Sequence, residues 1–266
     1  MHLTLSPVRT TRKGAAAAHG RTASQPCHHA HPALARLDGG VRALRAWSAT
    51  GCCGAAEGLA LVDAVLAALG ELLATPGAGA ALRAAEQILD SFLALADAYG
   101  TFGSALLAAK QSVAEARAGV RRGDGATVAA SVRAHRWTEK DMCHLAATMR
   151  HAAVASSKLE GVTTETEVVD MVAEAAAATA EASAVVFLGC ATMSPDVSAM
   201  VHTVSSRKWL ARLGVVSAAR KVAPEMALES LEELEECICA VESGSEKVFR
   251  RLLQARVLLL NIHNPL

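Results

Sequence analysis

The sequence predicts an all-α fold: a bundle of about five to six long antiparallel helices, with a long C-terminal helix and a disordered N-terminal tail. Three observations predict it. Leu231, Leu234, Ile238, Val241, Val248, Leu252 and Leu259 recur at steps of three and four, or multiples of them, which places them on one stripe of a single helix. Alanine-rich, glycine-poor periodic segments run through the rest of the chain, where strand-like alternation of useful length is missing. Apolar residues make up 52% of the 266 positions and aromatics only 3%, so the core must be leucine, valine and alanine in close packing.

Residues 1–32 contain no Asp or Glu but carry Arg9, Arg12, Lys13, Arg21 and five histidines. They read as a disordered basic leader ahead of a helical bundle domain over 33–266. The acid-free basic composition resembles an organelle transit peptide, so chloroplast import is the alternative to the cytoplasmic location expected here. Helix one is predicted from Pro32 to Trp47, with Leu34, Leu37, Val41 and Leu44 on one face, and Gly51-Cys52-Cys53-Gly54 as the loop after it. Helix two covers about 55–74, and Thr75-Pro76-Gly77-Ala78-Gly79 breaks it. Helix three starts near Ala80 and carries Leu82, Ile88, Leu89, Phe92 and Leu95. Gly100 and Gly103 are candidate bends before the pattern resumes through Leu106, Leu107, Val113 and Val120. Arg121 to Gly125 is a turn, and helix four follows over about 127–157 with Val128, Val132, Met142, Leu145, Met149 and Val154. Thr164 and Glu167 form a capping box for helix five, which runs to about Leu188. Residues 190–223 are a mixed connector.

The final helix opens at Pro224-Glu225, since proline suits a first turn, and runs to about Leu260 with only Gly244 as a soft spot. At about 1.5 Å per residue it would reach about 55 Å. Its glutamates (Glu225, Glu229, Glu232, Glu233, Glu235, Glu236, Glu242, Glu246) precede its cations (Lys247, Arg250, Arg251, Arg256), an order that complements the helix dipole. Bundle packing accounts for the leucine stripe. Arg250, Arg251 and Arg256 are left as the expected interaction surface for an acidic protein partner.

No catalytic constellation emerges, and a non-enzymatic chain without cofactor or metal is expected. Cys27-His28-His29-Ala30-His31 is the densest set of metal-donor residues, and Cys52 with Cys53 could complete four ligands, but paired Cys-x-x-Cys or His-x3-His spacing is missing. Cys237 and Cys239 are turned by about 200° around their helix, and Cys143 and His144 by about 100°, which suits neither a shared metal nor a catalytic dyad. Gly77-Ala78-Gly79 lacks the preceding strand of a phosphate loop, and Arg122-Gly123-Asp124 reads as an inter-helix turn. Seven scattered cysteines without a secretory signal indicate reduced thiols inside the cell. Zero formal net charge and few aromatics argue against nucleic-acid binding. The apolar run Ala182 to Met193, bracketed by Glu181 and Asp196, is too short to span a bilayer, so no transmembrane segment is expected. Arg207-Lys208-Trp209-Leu210-Ala211-Arg212-Leu213, extended by Arg220 and Lys221 with no acid from Val197 to Pro224, suits a membrane-surface helix. Peripheral membrane contact through 207–221 is therefore the alternative reading, with Arg207, Lys208, Trp209 and Arg212 as its contact residues.

Particular residues add a resemblance. Glu242-Ser243-Gly244, Phe249-Arg250-Arg251-Leu252, Gln254-Ala255-Arg256-Val257 and Leu259-Leu260-Asn261-Ile262 together resemble the closing signature of the plant-specific BYPASS-like family of unknown function. Gly20 to Pro26 followed by His31-Pro32 resembles that family's leader, although Ala23-Ser24-Gln25-Pro26 stands where the family has Ser-Leu-Pro. Arg42-Ala43-Leu44-Arg45 with Trp47 resembles its first helix, and Leu66, Leu69, Leu72, Leu73, Thr75 and Pro76 its second. Ala116-Arg117 and Val120-Arg121-Arg122 resemble the end of its third. The resemblance spans about residues 20–262. It implies a helical, non-enzymatic plant protein linked to root and shoot development, and it assigns no catalytic residue.

Overall fold

A computed structural model of the chain describes residues 32–50, 54–82, 86–157, 167–193 and 222–264. Their regular structure is seven α-helices: α1 (Pro32–Thr50), α2 (Ala55–Leu73), α3 (Pro76–Leu82), α4 (Glu86–Arg122), α5 (Gly125–Ser157), α6 (Glu167–Ala191) and α7 (Val222–His263). All seven residues of the predicted C-terminal stripe are buried, as is the predicted face of α1. At about 1.5 Å per residue the 42 residues of α7 reach about 63 Å, and Pro224 falls in the first turn.

One predicted break is placed differently. Residues 76–79 are not a loop but the start of α3, which leaves α2 at a bend of 93°. Proline fixes a helix-compatible φ and lacks the N–H that a first turn leaves unpaired, so Pro76 starts a helix as readily as it stops one. Gly100 and Gly103 do not interrupt α4. The turn between α4 and α5 follows its expected chemistry: Gly123 takes φ 65°. Asp124 Oδ1 then accepts the Ala126 N–H at 3.1 Å, capping α5. The Thr164 capping box lies outside the described residues, as do Cys27, Cys52, Cys53 and the leader's histidines.

α6 is the central helix and touches α1, α2, α3, α4 and α5. Its run Ala175 to Ala180 is buried on every side, a position that only small side chains let a helix occupy among so many neighbours. α1 and α2 run antiparallel, with Arg36 paired to Glu71 and Trp47 stacked over Gly58. α4 and α5 do the same, joined by Ser112 with His135 and Ser91 with Ser156. α4 and α7 are also antiparallel, held by Lys110–Glu242 at 2.7 Å, by Arg117 between Glu232 and Glu235, and by Arg121–Glu232 at 3.7 Å. The glutamates that complement the α7 dipole thus also bind α4. α2 and α7 run in the same direction, since Leu59 faces Gly244 and Asp63 faces Arg251. The antiparallel rule therefore holds for these hairpins and for α4–α7, but not for every pair.

Two predicted core positions are exposed, Leu107 at 51% and Val154 at 56%. Each sits beside the residue that takes its slot, Leu106 and Ala153, because one step along a helix turns a side chain by about 100° out of the interface. The sequence reading of the apolar segments needs one correction. α4 and α6 are both long and apolar enough to cross a membrane by length and composition. Within the bundle, 72% of the most apolar window of α6 and 50% of that of α4 are buried, and α2 with α3 passes the same test if the bent pair is taken as one span.

Candidate functional site

An open recess lies between α2 and α7. Near its start the two helices approach closely: a Cβ on Gly244 would lie 3.0 Å from Leu59 Cδ1. Farther along, the facing residues are small. Ala67, Gly70 and Ala74 on α2 look across at Gln254 and Ala255 on α7, and the space they do not fill is an open groove of about 730 Å³. Leu66, Leu253, Val257 and Leu258 make its lining apolar, and Glu71 and Arg251 supply its charge. A Cβ on Gly70 would meet nothing within 4 Å.

α7 carries a second apolar stripe beside this groove. Leu253, Val257 and Leu260 follow Arg250 at i+3, i+7 and i+10, and their exposures are 39%, 55% and 37%. They differ in role from the buried stripe of the same helix, since among the described residues each keeps more than a third of its surface exposed. The sequence reading missed them because its attention was on the stripe that packs. Their spacing was visible all along in the Arg-Leu-Leu-Gln-Ala-Arg-Val-Leu-Leu-Leu run.

The three arginines expected to form an interaction surface are placed separately. Arg250 is exposed and pairs with Glu246 one turn back. Arg251 reaches Asp63 of α2 at 3.3 Å and so forms part of the groove wall. Arg256 is half-buried, with its Nε enclosed and without a hydrogen-bond partner. Positions 250, 251 and 256 point in three directions about a helix, so they share no single face. The residues of the predicted membrane segment, Arg207, Lys208, Trp209 and Arg212, lie outside the described residues.

A second, unpredicted recess is lined mostly by apolar side chains and holds a buried histidine. His135, Thr138, Glu139 and Met142 of α5, Cys190 of α6 and Leu234, Ile238 and Val241 of α7 enclose a cavity of about 10 Å³. His135 Nδ1 lies 3.2 Å from Ser112 Oγ, and its Nε2 is 3.9 Å from Glu139. Burial holds the imidazole below its ordinary value, raises the Glu139 carboxyl and pushes the Cys190 thiol up to about 12. In each case burial favours the neutral form over the charged one. The volume is about that of one water, far below a substrate pocket of several hundred Å³. Among the described residues, no group of three or more His, Cys, Asp or Glu side chains is arranged to hold a metal. Cys143, Cys237 and Cys239 are exposed free thiols, and His144 beside Cys143 is exposed as well.

The buried imidazole predicts a pH dependence. A histidine whose folded value is depressed binds its proton first in the unfolded chain, so its contribution to stability is complete above about 6.5 and is lost as pH falls through the lower folded value. Glu139, raised on folding, acts in the opposite direction above its ordinary range. Urea melts of wild type and His135→Gln between pH 7.5 and 5 should show a shallower acid-side loss in the variant. Parallel profiles would mean that His135 takes up its proton equally in the folded and the unfolded chain.

A family model described as Protein BPS1 matches residues 58–262, from the first turn of α2 to the last turn of α7. No curated protein and no solved structure matches the chain.

Proposed function

This chain belongs to the Protein BPS1 family, and from that membership and the shape of the α2–α7 groove we infer that it is a non-enzymatic regulator or scaffold that works by docking a partner protein. The observation that carries this reading is the uncovered apolar stripe Leu253, Val257 and Leu260 beside a groove of about 730 Å³. A helix laid into such a groove buries anchors at i, i+3, i+4 and i+7. The occupant is an amphipathic helix of a partner protein with acidic residues along its edge, facing Arg250. Arg250 can change partners at little cost, since its pair with Glu246 is exposed at both ends. The BYPASS-like resemblance supplies the setting, root and shoot development in a plant, with the cytoplasm as the expected compartment.

Photo-crosslinking tests it. A benzoylphenylalanine at Val257 should capture, from growing root and shoot tissue, a partner peptide with helical apolar periodicity and acidic flanks. The same label at Gln111, exposed on α4, should not. Gly70→Leu should fill the groove, leave the melting temperature equal or higher, and abolish capture at Val257. Undiminished capture in the Gly70→Leu chain would remove the groove from consideration, and capture of a second copy alone would replace the partner with self-association.

A further inference from the structure

We propose that the outer face of α5 is a docking surface for an anionic membrane, with Trp137 seated among the lipid headgroups. α5 packs against α4 and α6, and its opposite face bears Arg133, Trp137, Lys140, His144 and His151, all exposed. Their spacing of i, i+4, i+7, i+11 and i+18 keeps them within one narrow stripe about 27 Å long. Trp137 is 65% exposed, the most exposed large apolar side chain of the described residues. In a chain that has only three tryptophans and 3% aromatic residues, placing an indole in water is a costly use of its largest apolar group. The Lys140 ammonium lies 4.6 Å from the ring centroid, so apolar surface and positive charge are presented as one unit. Indole rings favour the membrane–water boundary, and basic residues beside them are attracted to anionic headgroups.

The shape selects a membrane over an acidic peptide. A peptide helix needs a groove for its anchors, and the groove of this molecule is lined by α2 and α7. The α5 face is one convex helix from which an indole protrudes among basic side chains, which fits a flat, deformable surface. Asp141 flanks the stripe, about 40° beyond Trp137, and opposes the binding. It supplies a gain-of-affinity test. This contact is distinct from the connector 207–221 and predicts a different set of essential residues.

The test is vesicle flotation of the full chain with phosphatidylcholine alone and with about one-third phosphatidylserine, at low and physiological salt. Binding to the anionic vesicles only, weakened by salt, is expected. Each basic residue near the surface contributes about fivefold, so Arg133→Gln with Lys140→Gln should weaken binding about 25-fold, and Asp141→Asn should tighten it. These side chains are exposed, so melting should be unchanged. In a Trp209→Phe chain, brominated lipid should quench the Trp137 emission, leaving the buried Trp47 unaffected. Unchanged flotation of the α5 double variant, flotation lost only when Arg207, Lys208 and Arg212 are neutralised, or binding to polyglutamate without vesicle binding would each overturn the proposal.

Discussion

Phe187→Ala should lower the stability of the bundle by about 3–5 kcal/mol, the largest loss expected from any single truncation here. Phe187 is fully buried on the central helix, with its ring 4.2 Å from that of Phe102 and 5.3 Å from that of Tyr99. Tyr99 also bonds Ser183 at 3.0 Å, and because the Ser183 hydroxyl already donates to the Thr179 carbonyl, the phenol is the donor. Burial raises the phenol well above its ordinary range, so it stays protonated and keeps that bond. On the same face of the helix Ser183, Ala184, Cys190 and Ala191 are all small, with little side chain to refill a void. The cavity left by truncation would therefore stay open, and the cost should fall at the upper end for its type. Urea unfolding would measure it. With a typical domain stability of about 5–15 kcal/mol, a loss of this size removes a large share. A change below about 1 kcal/mol would mean that the cluster collapses around the smaller side chain.

Gly58→Ala should destabilise by about 1–3 kcal/mol, even though alanine is the better helix former. The Trp47 indole lies directly over Gly58, so that an added Cβ would overlap the ring and come within 2.8 Å of its Cζ3. Trp47 is 6% exposed and its Nε1 has no hydrogen-bond partner, so the ring has little freedom to swing aside without losing its burial. The opposite sign, a gain of about 1 kcal/mol, is what helix propensity alone would give. In combination with Trp47→Leu the cost of Gly58→Ala should shrink, and this non-additivity is the signature of direct contact. Thermal or urea melts of the two single variants and the double variant would decide it. Strict additivity would locate the strain elsewhere.

The candidate groove was only half legible. The closing signature from Glu242 to Ile262 marked α7, and Arg251 does line the groove wall. The other wall, Ala67, Gly70 and Ala74, drew no notice in the sequence, because small residues signal only by what they fail to fill. The basic trio was grouped by proximity in sequence, whereas a helix sends positions 250, 251 and 256 to three sides. The small recess around His135 was invisible for a related reason: Ser112, His135, Glu139 and Cys190 come from three helices, and no local spacing links them.

Sequence alone determined the helices and which face of each turns inward, because both follow from local propensity and from a period of 3.6 residues that any stretch of chain carries within itself. It also marked two helix boundaries, Pro224 in a first turn and the turn at Arg122-Gly123-Asp124 between α4 and α5. Tertiary structure decided what no segment carries by itself: that the alanine run of α6 lies at the centre, that α2 and α7 run in the same direction, that α4 captures the glutamates of α7, and that Leu253, Val257, Leu260 and Trp137 remain uncovered. A residue's own neighbours fix which way it points. Only the packing of other helices fixes whether anything is there to meet it.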